Sequence, residues 1–166
     1  MTHFIKKKKA YLPMKRGISI IELLVVITVL GIIFAIVIPQ FSKNRELQVL
    51  KSGVEDVLSS INKAHSQTLA SLNSSEYGVH FQSDEVIIFK GTVFSDSDIS
   101  NEAINLTAPA NISNVTINGV SGVSGDIYFN RLSGVPSNNG INTITISVPS
   151  GFKIITISVT GVTSVN

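Results

Sequence analysis

The chain has 166 residues, 43% of them apolar and 14% charged, with no cysteine and a formal charge of +2. That length allows one domain and a short appendage, and the low charge with a mean hydropathy of +0.35 excludes a disordered chain. The missing thiol excludes disulfide scaffolds, cysteine nucleophiles and cysteine-ligated zinc.

The charge is unevenly placed. All the charges in Met1–Gly17 are basic (Lys6, Lys7, Lys8, Lys9, Lys15 and Arg16), and no acidic residue precedes Glu22. Residues 1–17 read as a basic leader. Ile18–Ile38 follows with 17 aliphatic or Phe residues in 21, interrupted only by Ser19, Glu22, Thr28 and Gly31. At about 1.5 Å per residue a helix of that length reaches roughly 30 Å, the thickness of a bilayer's hydrocarbon core. Residues 18–38 therefore read as a membrane span rather than a buried core helix, which is usually shorter and lacks a flanking lysine cluster. The positive-inside rule places the N-terminus in the cytoplasm and the chain after Pro39 outside. A secretory signal peptide has a shorter apolar region and a small-x-small cleavage site, and Ala35-Ile36-Val37-Ile38-Pro39 lacks that pattern.

Glu22 is the anomaly of the span. An ionised carboxylate costs on the order of 2.5–3.5 kcal/mol at mid-membrane, somewhat less near the end, so it needs a cation or access to water. Arg16 is six residues back, and the next basic side chain is Lys43. One reading leaves the carboxylate solvated at the membrane edge. Another cuts the chain just before the span, which creates a free α-amine able to neutralise a Glu buried between packed helices.

The run Lys15-Arg16-Gly17-Ile18-Ser19-Ile20-Ile21-Glu22-Leu23-Leu24-Val25-Val26 resembles the leader junction of type IV pilins and type II secretion pseudopilins. The resemblance implies that a prepilin peptidase cuts between Gly17 and Ile18 and methylates the new amine of Ile18. It also makes Glu22 the family's acidic fifth residue, which sets register during assembly. Members most often carry Phe or Met where this chain has Ile18. Pro39 falls where such subunits commonly have a helix-bending proline.

After Pro39, Leu47, Leu50, Val54, Val57, Ile61, Ala64, Thr68 and Leu72 recur in steps of three or four, which predicts an amphipathic continuation of the helix over 39–72. Lys43, Arg45, Glu46, Lys51, Glu55, Asp56 and Lys63 fall mostly off that stripe. Pro39 predicts a bend, and Gly31 and Gly53 predict softness.

Over 73–166 the period changes to two, which predicts a β-rich domain. Tyr77, Val79 and Phe81 alternate with Gly78 and His80, and Val86–Phe89 follows Gln82-Ser83-Asp84-Glu85 as the second arm of a hairpin. Further strands are expected at Ile104–Leu106, Ile112–Ile117, Ile127–Phe129, Thr143–Val148 and Phe152–Val159, with Pro149-Ser150-Gly151 turning between the last two through a preset proline and a positive-φ glycine. Phe152 and Ile154 are out of phase with Ile155, Ile157 and Val159, which predicts a bulge near Ile154 or Ile155. Gly91–Gly140 is rich in Ser, Asn and Gly, so its connections are poorly specified. One long helix followed only by strands predicts an α+β unit, the helix packed on a mostly antiparallel sheet. This agrees with the fold that the pilin resemblance implies. Tyr77-Gly78-Val79, Phe152-Lys153-Ile154-Ile155-Thr156-Ile157 and Thr160-Gly161-Val162 resemble the minor pseudopilin group called GspH or FimT.

No catalytic or cofactor-binding pattern emerges. His3, His65 and His80 include no i, i+4 pair for a metal. Asp96-Ser97-Asp98 lacks the Gly and distal Glu of an EF-hand and reads as a solvated loop. Gly119, Gly122 and Gly125 lack a phosphate-loop Lys and read as turns. The four Asn-x-Ser/Thr triplets, at Asn73, Asn105, Asn111 and Asn114, carry no assigned function. Some FimT-like pilins serve DNA uptake, but from Gly91 onward the basic residues are Arg131 and Lys153 against Asp96, Asp98, Glu102 and Asp126, which gives nucleic acid little electrostatic support.

The expected function is a pilin-like structural subunit, held by one span in the cytoplasmic membrane with its outer domain extracytoplasmic. Its expected partners are a prepilin peptidase and other pilins or pseudopilins in a filament, with type II protein secretion the leading setting over a type IV pilus or competence machinery. The competing reading is an uncleaved anchored binding module, an adhesin or DNA-uptake pilin. Removing residues 1–17 would leave seven basic against eleven acidic side chains, a formal charge of −4.

Overall fold

The computed structural model describes residues 17–166 and divides into two units, the first ending at Pro39 and the second comprising Gln40–Asn166. His3, Lys6–Lys9, Lys15 and Arg16, and with them most of the expected leader, lie outside the described residues.

In the first unit Gly17-Ile18-Ser19 is non-helical, and helix α1 (Ile20–Leu69) then begins. Ser19 occupies the position before the first helical residue, and its carbonyl accepts the Leu23 N–H at 3.1 Å. All side chains from Ile18 to Pro39 are exposed. The helix runs through Pro39, which cannot donate the usual bond to the carbonyl of Ala35.

In the second unit the remainder of α1 meets nine strands: β1 (Tyr77–Phe81), β2 (Glu85–Lys90), β3 (Glu102–Asn105), β4 (Asn111–Ile117), β5 (Val120–Gly122), β6 (Gly125–Phe129), β7 (Asn142–Val148), β8 (Gly151–Ile157) and β9 (Thr163–Val165). They form two sheets, not one. The first has the order β3-β2-β1-β6 and the second β5-β4-β7-β8-β9, and every neighbouring pair is antiparallel. The architecture is the expected α+β class: a long N-terminal helix packed on antiparallel sheet.

The helical stripe makes the core. Val57, Ile61 and Ala64 are fully buried against Val79 and Phe81 of β1, Ile127 and Phe129 of β6, Ile144 and Ile146 of β7, and Ile155 and Ile157 of β8. Both ends of the expected stripe fall outside this core. Leu72 lies in a separate 3₁₀ turn (Leu72–Ser74), and Leu47 lines an open apolar groove of about 310 Å³ between α1 and β8–β9. Gly53, expected as a soft point, is buried: a β-carbon there would lie 3.4 Å from the Ala110 methyl and 3.7 Å from Leu106 and Ile146. A small residue lets the helix approach the β3–β4 connection closely.

Thr68 ends the stripe with a buried hydroxyl. It donates to the Ala64 carbonyl at 2.9 Å and accepts the Tyr77 N–H at 2.9 Å, tying the last helical turn to the start of β1. Arg131 Nη1 donates to the Ser74 carbonyl at 2.6 Å and holds the connection between them. On the outside, Lys63 bonds both carboxylate oxygens of Glu102 on β3, at 2.5 and 2.6 Å; both groups are about half exposed, so the tie is worth little beyond orientation.

Several strand details depart from expectation. The β7–β8 ladder is unbroken from Asn142↔Ile157 to Val148↔Gly151, so there is no bulge at Ile154 or Ile155; Phe152 and Ile154 simply face outward. The bulge is in β4 between Ile112 and Asn114, and it lets Ile112 and Val115, three residues apart, both face the core. The last long strand ends at Ile157, and β9 folds back beside it through a turn in which Gly161 has φ +84°. Gly151, in contrast, is not in the left-handed region. Strand β5 is an addition, paired to β4 across Asn118-Gly119, both at positive φ as a two-residue hairpin turn requires. Gly125 is not a turn but the first residue of β6, where a β-carbon would lie 2.5 Å from Ile117 Cδ1 of the other sheet.

Thr68→Val keeps the shape of the side chain but leaves the buried Tyr77 N–H without an acceptor. It should destabilise the protein by about 1–3 kcal/mol. Ile61→Ala, which removes three buried carbons at the centre of the core, should cost about 2–5 kcal/mol. Denaturant unfolding of the detergent-solubilised chain, followed by circular dichroism, measures both.

Candidate functional site

The residues singled out at the leader junction lie together at the start of α1. Gly17 and Ile18 sit in exposed, non-helical chain immediately before the helix. Glu22 is in the first turn of α1. A carboxylate there is favoured by the unpaired N–H groups and the positive end of the helix dipole. Ser19 and Glu22 have the Ser-x-x-Glu spacing of a capping box, with Ser19 just before the helix and Glu22 third within it.

Beyond Glu22 the site is a surface. Helix α1 contains a stretch long and apolar enough to cross a membrane, and none of that stretch is buried within the protein. Ile20 is 86% exposed, Ile36 70% and Ile38 64%. Pro39, the expected bend, marks the end of this unit.

The remaining candidates are not brought to this segment. His65 lies on the inner part of α1, half-buried, edge-on to Phe129 with ring centroids 5.1 Å apart. His80 faces outward from the first sheet. Its Nδ1 is hydrogen-bonded to Asp126, its partner in the β1–β6 ladder, and its Nε2 lies 3.0 Å from the Gln82 amide nitrogen. Phe94, from the loop after β2, stacks on the ring at 3.9 Å and covers it. The sequence offers no signal for this pairing, because His80 and Asp126 are brought together only by strand register. Among the described residues no three His, Cys, Asp or Glu side chains gather as a metal site.

Asp98 closes its own loop. The Ser100 backbone N–H and hydroxyl both donate to Asp98 Oδ1 at 2.8 Å and hold the carboxyl below the usual aspartate value, with a smaller contribution from Lys90. Asp96 and Asp98 thus belong to an exposed turn.

Asn142, also unmarked in the sequence, is fully buried at the start of β7. Its side chain accepts from the Asn118 N–H at 3.2 Å, donates to the Gly140 carbonyl at 3.1 Å and pairs with the Asn138 amide, organising the loops at that end of the second sheet.

The sequence matches no protein-family model and no curated protein. Among solved structures, the fold is similar to the crystal structure of the type IV minor pilin FimU of Pseudomonas aeruginosa (strain PAO1), with a TM-score of 0.52 over 73% of this chain and 90% of that one, at 14% sequence identity. The fold is pilin-like. At that identity the likeness establishes architecture, and the segment Gly17–Pro39 has to be read on its own chemistry.

Because the Asp98 carboxyl is depressed, its stabilising bonds are complete above the ordinary aspartate value and are lost as pH falls through the lowered one. Carboxyl-carbon NMR should show Asp98 titrating below the ordinary aspartate value. Ser100→Ala should bring it part of the way back, since the backbone bond remains.

Proposed function

We propose that this protein is a pilin-like structural subunit that is stored in the cytoplasmic membrane through residues 18–38 and assembled into a filament through the same helix. The observation that carries the reading is the bare apolar surface at the start of α1, attached to a unit of pilin-like fold. Such a surface is stable only in lipid or against other chains.

In this reading the basic residues before Gly17 hold the N-terminus inside, and the domain after Pro39 lies outside. A prepilin peptidase cuts between Gly17 and Ile18 and methylates the Ile18 amine. The new amine then meets the Glu22 carboxylate of a neighbouring subunit within the apolar bundle. Two charges that would each be costly alone in a dry environment neutralise one another, and their fixed positions set the axial register. Pro39 bends the helix where the apolar segment ends. As a minor subunit of GspH type the protein serves a pseudopilus for type II secretion. The second reading is a minor subunit of a type IV pilus, favoured by the likeness to FimU. Deleting the gene separates these settings: lost export of folded proteins supports the first, and lost surface pili with normal export supports the second.

Glu22→Leu should leave membrane insertion intact and abolish incorporation into sheared filaments. Normal incorporation would overturn the register role. Intact-mass analysis of protein from the native membrane should give a chain beginning at N-methyl-Ile18; a chain retaining residues 1–17 would favour an uncleaved anchored module instead.

A further inference from the structure

Strand register brings a set of uncharged hydrogen-bonding side chains onto the outward face of the second sheet. Thr116, Thr143 and Thr156 stand side by side on β4, β7 and β8, and Ser121 of β5 and Ser164 of β9 extend this row to both edges. A second row, two residues along the strands, holds Asn114, Thr145 and Ile154. A third holds Asn111, Ser147 and Phe152. At about 4.8 Å between strands and about 3.4 Å per residue along them, the first row is roughly 19 Å long, the second and third are roughly 10 Å long, and the three rows together span roughly 14 Å along the strands.

The chemistry of this face is specific. None of its positions is charged; the one charged residue in these five strands, Lys153, is paired with Ile146 and belongs to the opposite face. A soluble surface is well served by about 25–35% charged residues. A face without them avoids the cost of desolvating an ion, has no attraction for a polyanion or polycation, and asks only that its hydroxyls and amides be hydrogen-bonded by whatever covers it. Its polar groups are also held in place: Thr116 Oγ1 and Ser121 Oγ are 2.9 Å apart, Asn114 Nδ2 donates to Thr116 Oγ1 at 3.1 Å, and Ser147 Oγ donates to Asn111 Oδ1 at 2.7 Å. At the end of the third row Phe152 leaves 63% of its surface in solvent. An aromatic ring left open beside fixed hydroxyl and amide groups matches the two sides of a sugar: a C–H face to lie on the ring, and hydroxyls to bond the rows.

We propose that the outward face of the second sheet is a docking surface for a neutral polysaccharide, with Phe152 as the stacking platform and the Thr, Ser and Asn rows as the hydrogen-bonding field. The absence of charge matches an uncharged polyol. The row beside Phe152, roughly 10 Å across three strands, fits about two sugar units, and the first row widens the field to both edges of the sheet. The assignment rests on the second sheet alone and is independent of how the helix is processed or assembled.

The test incubates the full-length chain, in non-ionic detergent, with microcrystalline cellulose and with chitin as neutral probes and with alginate as the charged one. The expected result is retention on a neutral solid that persists in high salt, with none on alginate. Phe152→Ala and Thr145→Lys should each weaken it about tenfold, the loss of a well-placed interface contact. Leu132→Ser, in the exposed loop between β6 and β7, should leave it unchanged. Circular dichroism verifies each fold, and Ser164→Lys at the exposed edge repeats the test should Thr145→Lys unfold. Retention on neither neutral solid, or retention indifferent to these variants, overturns the proposal. So does a Thr145→Lys chain that loses self-association in cross-linking while its polysaccharide retention is unchanged, since the face would then be a contact between copies.

Discussion

A helix surface that its own chain leaves bare is the constraint on which the rest of this protein depends. Burying a large aliphatic side chain is worth about 1.5–3 kcal/mol, so the exposed stretch from Ile18 to Ile38 represents roughly tens of kcal/mol that is not recovered within that stretch. Lipid tails and other apolar helices are both chemically suited to cover such a surface. Glu22 adds a second demand, because a carboxylate among apolar side chains has to be near water or beside a cation.

The second unit solves a different problem with the same helix. From Leu50 onward the stripe is covered by two sheets, and the polar ends of the packing are closed by Thr68 and Asn142, whose hydrogen bonds are made within the chain. The contrast between a helix segment with no internal cover and one with complete cover explains the uneven sequence: nearly all apolar first, amphipathic afterwards. The charge is uneven too: every charged side chain in residues 1–17 is basic, and the strands of the second sheet carry a single charged residue, Lys153.

Much of this was legible because it is local. The three-four steps of Leu50, Val54, Val57, Ile61, Ala64 and Thr68 reveal a one-sided helix, and the alternation at Tyr77, Val79 and Phe81 reveals a strand with a hairpin partner. The α+β class followed from the order of those patterns. What escaped depends on register between distant strands. Two sheets instead of one, the pairing of His80 with Asp126 and the burial of Asn142 have no local signature. The misplaced bulge is instructive. Two phase changes were present, at Ile112–Val115 and at Phe152–Ile155, and only the first is a bulge; the second arises because Phe152 and Ile154 are apolar residues on an outward face. At the candidate segment, the apolar stretch was legible in composition, and Glu22 falls in the first turn of the helix, two residues after its start.

The seating of α1 in the second unit also has a mechanical consequence. The buried stripe runs along the helix from Leu50 to Thr68, and its far end is tied to β1 by the Thr68 hydroxyl. A pull on this unit through its N-terminal end at Gln40 acts along the helix axis. It loads the stripe in shear, with Leu50 through Thr68 sharing the force at once instead of peeling away one after another. An element seated in this way yields late under tension, which suits a chain whose point of attachment is the continuation of its own core helix.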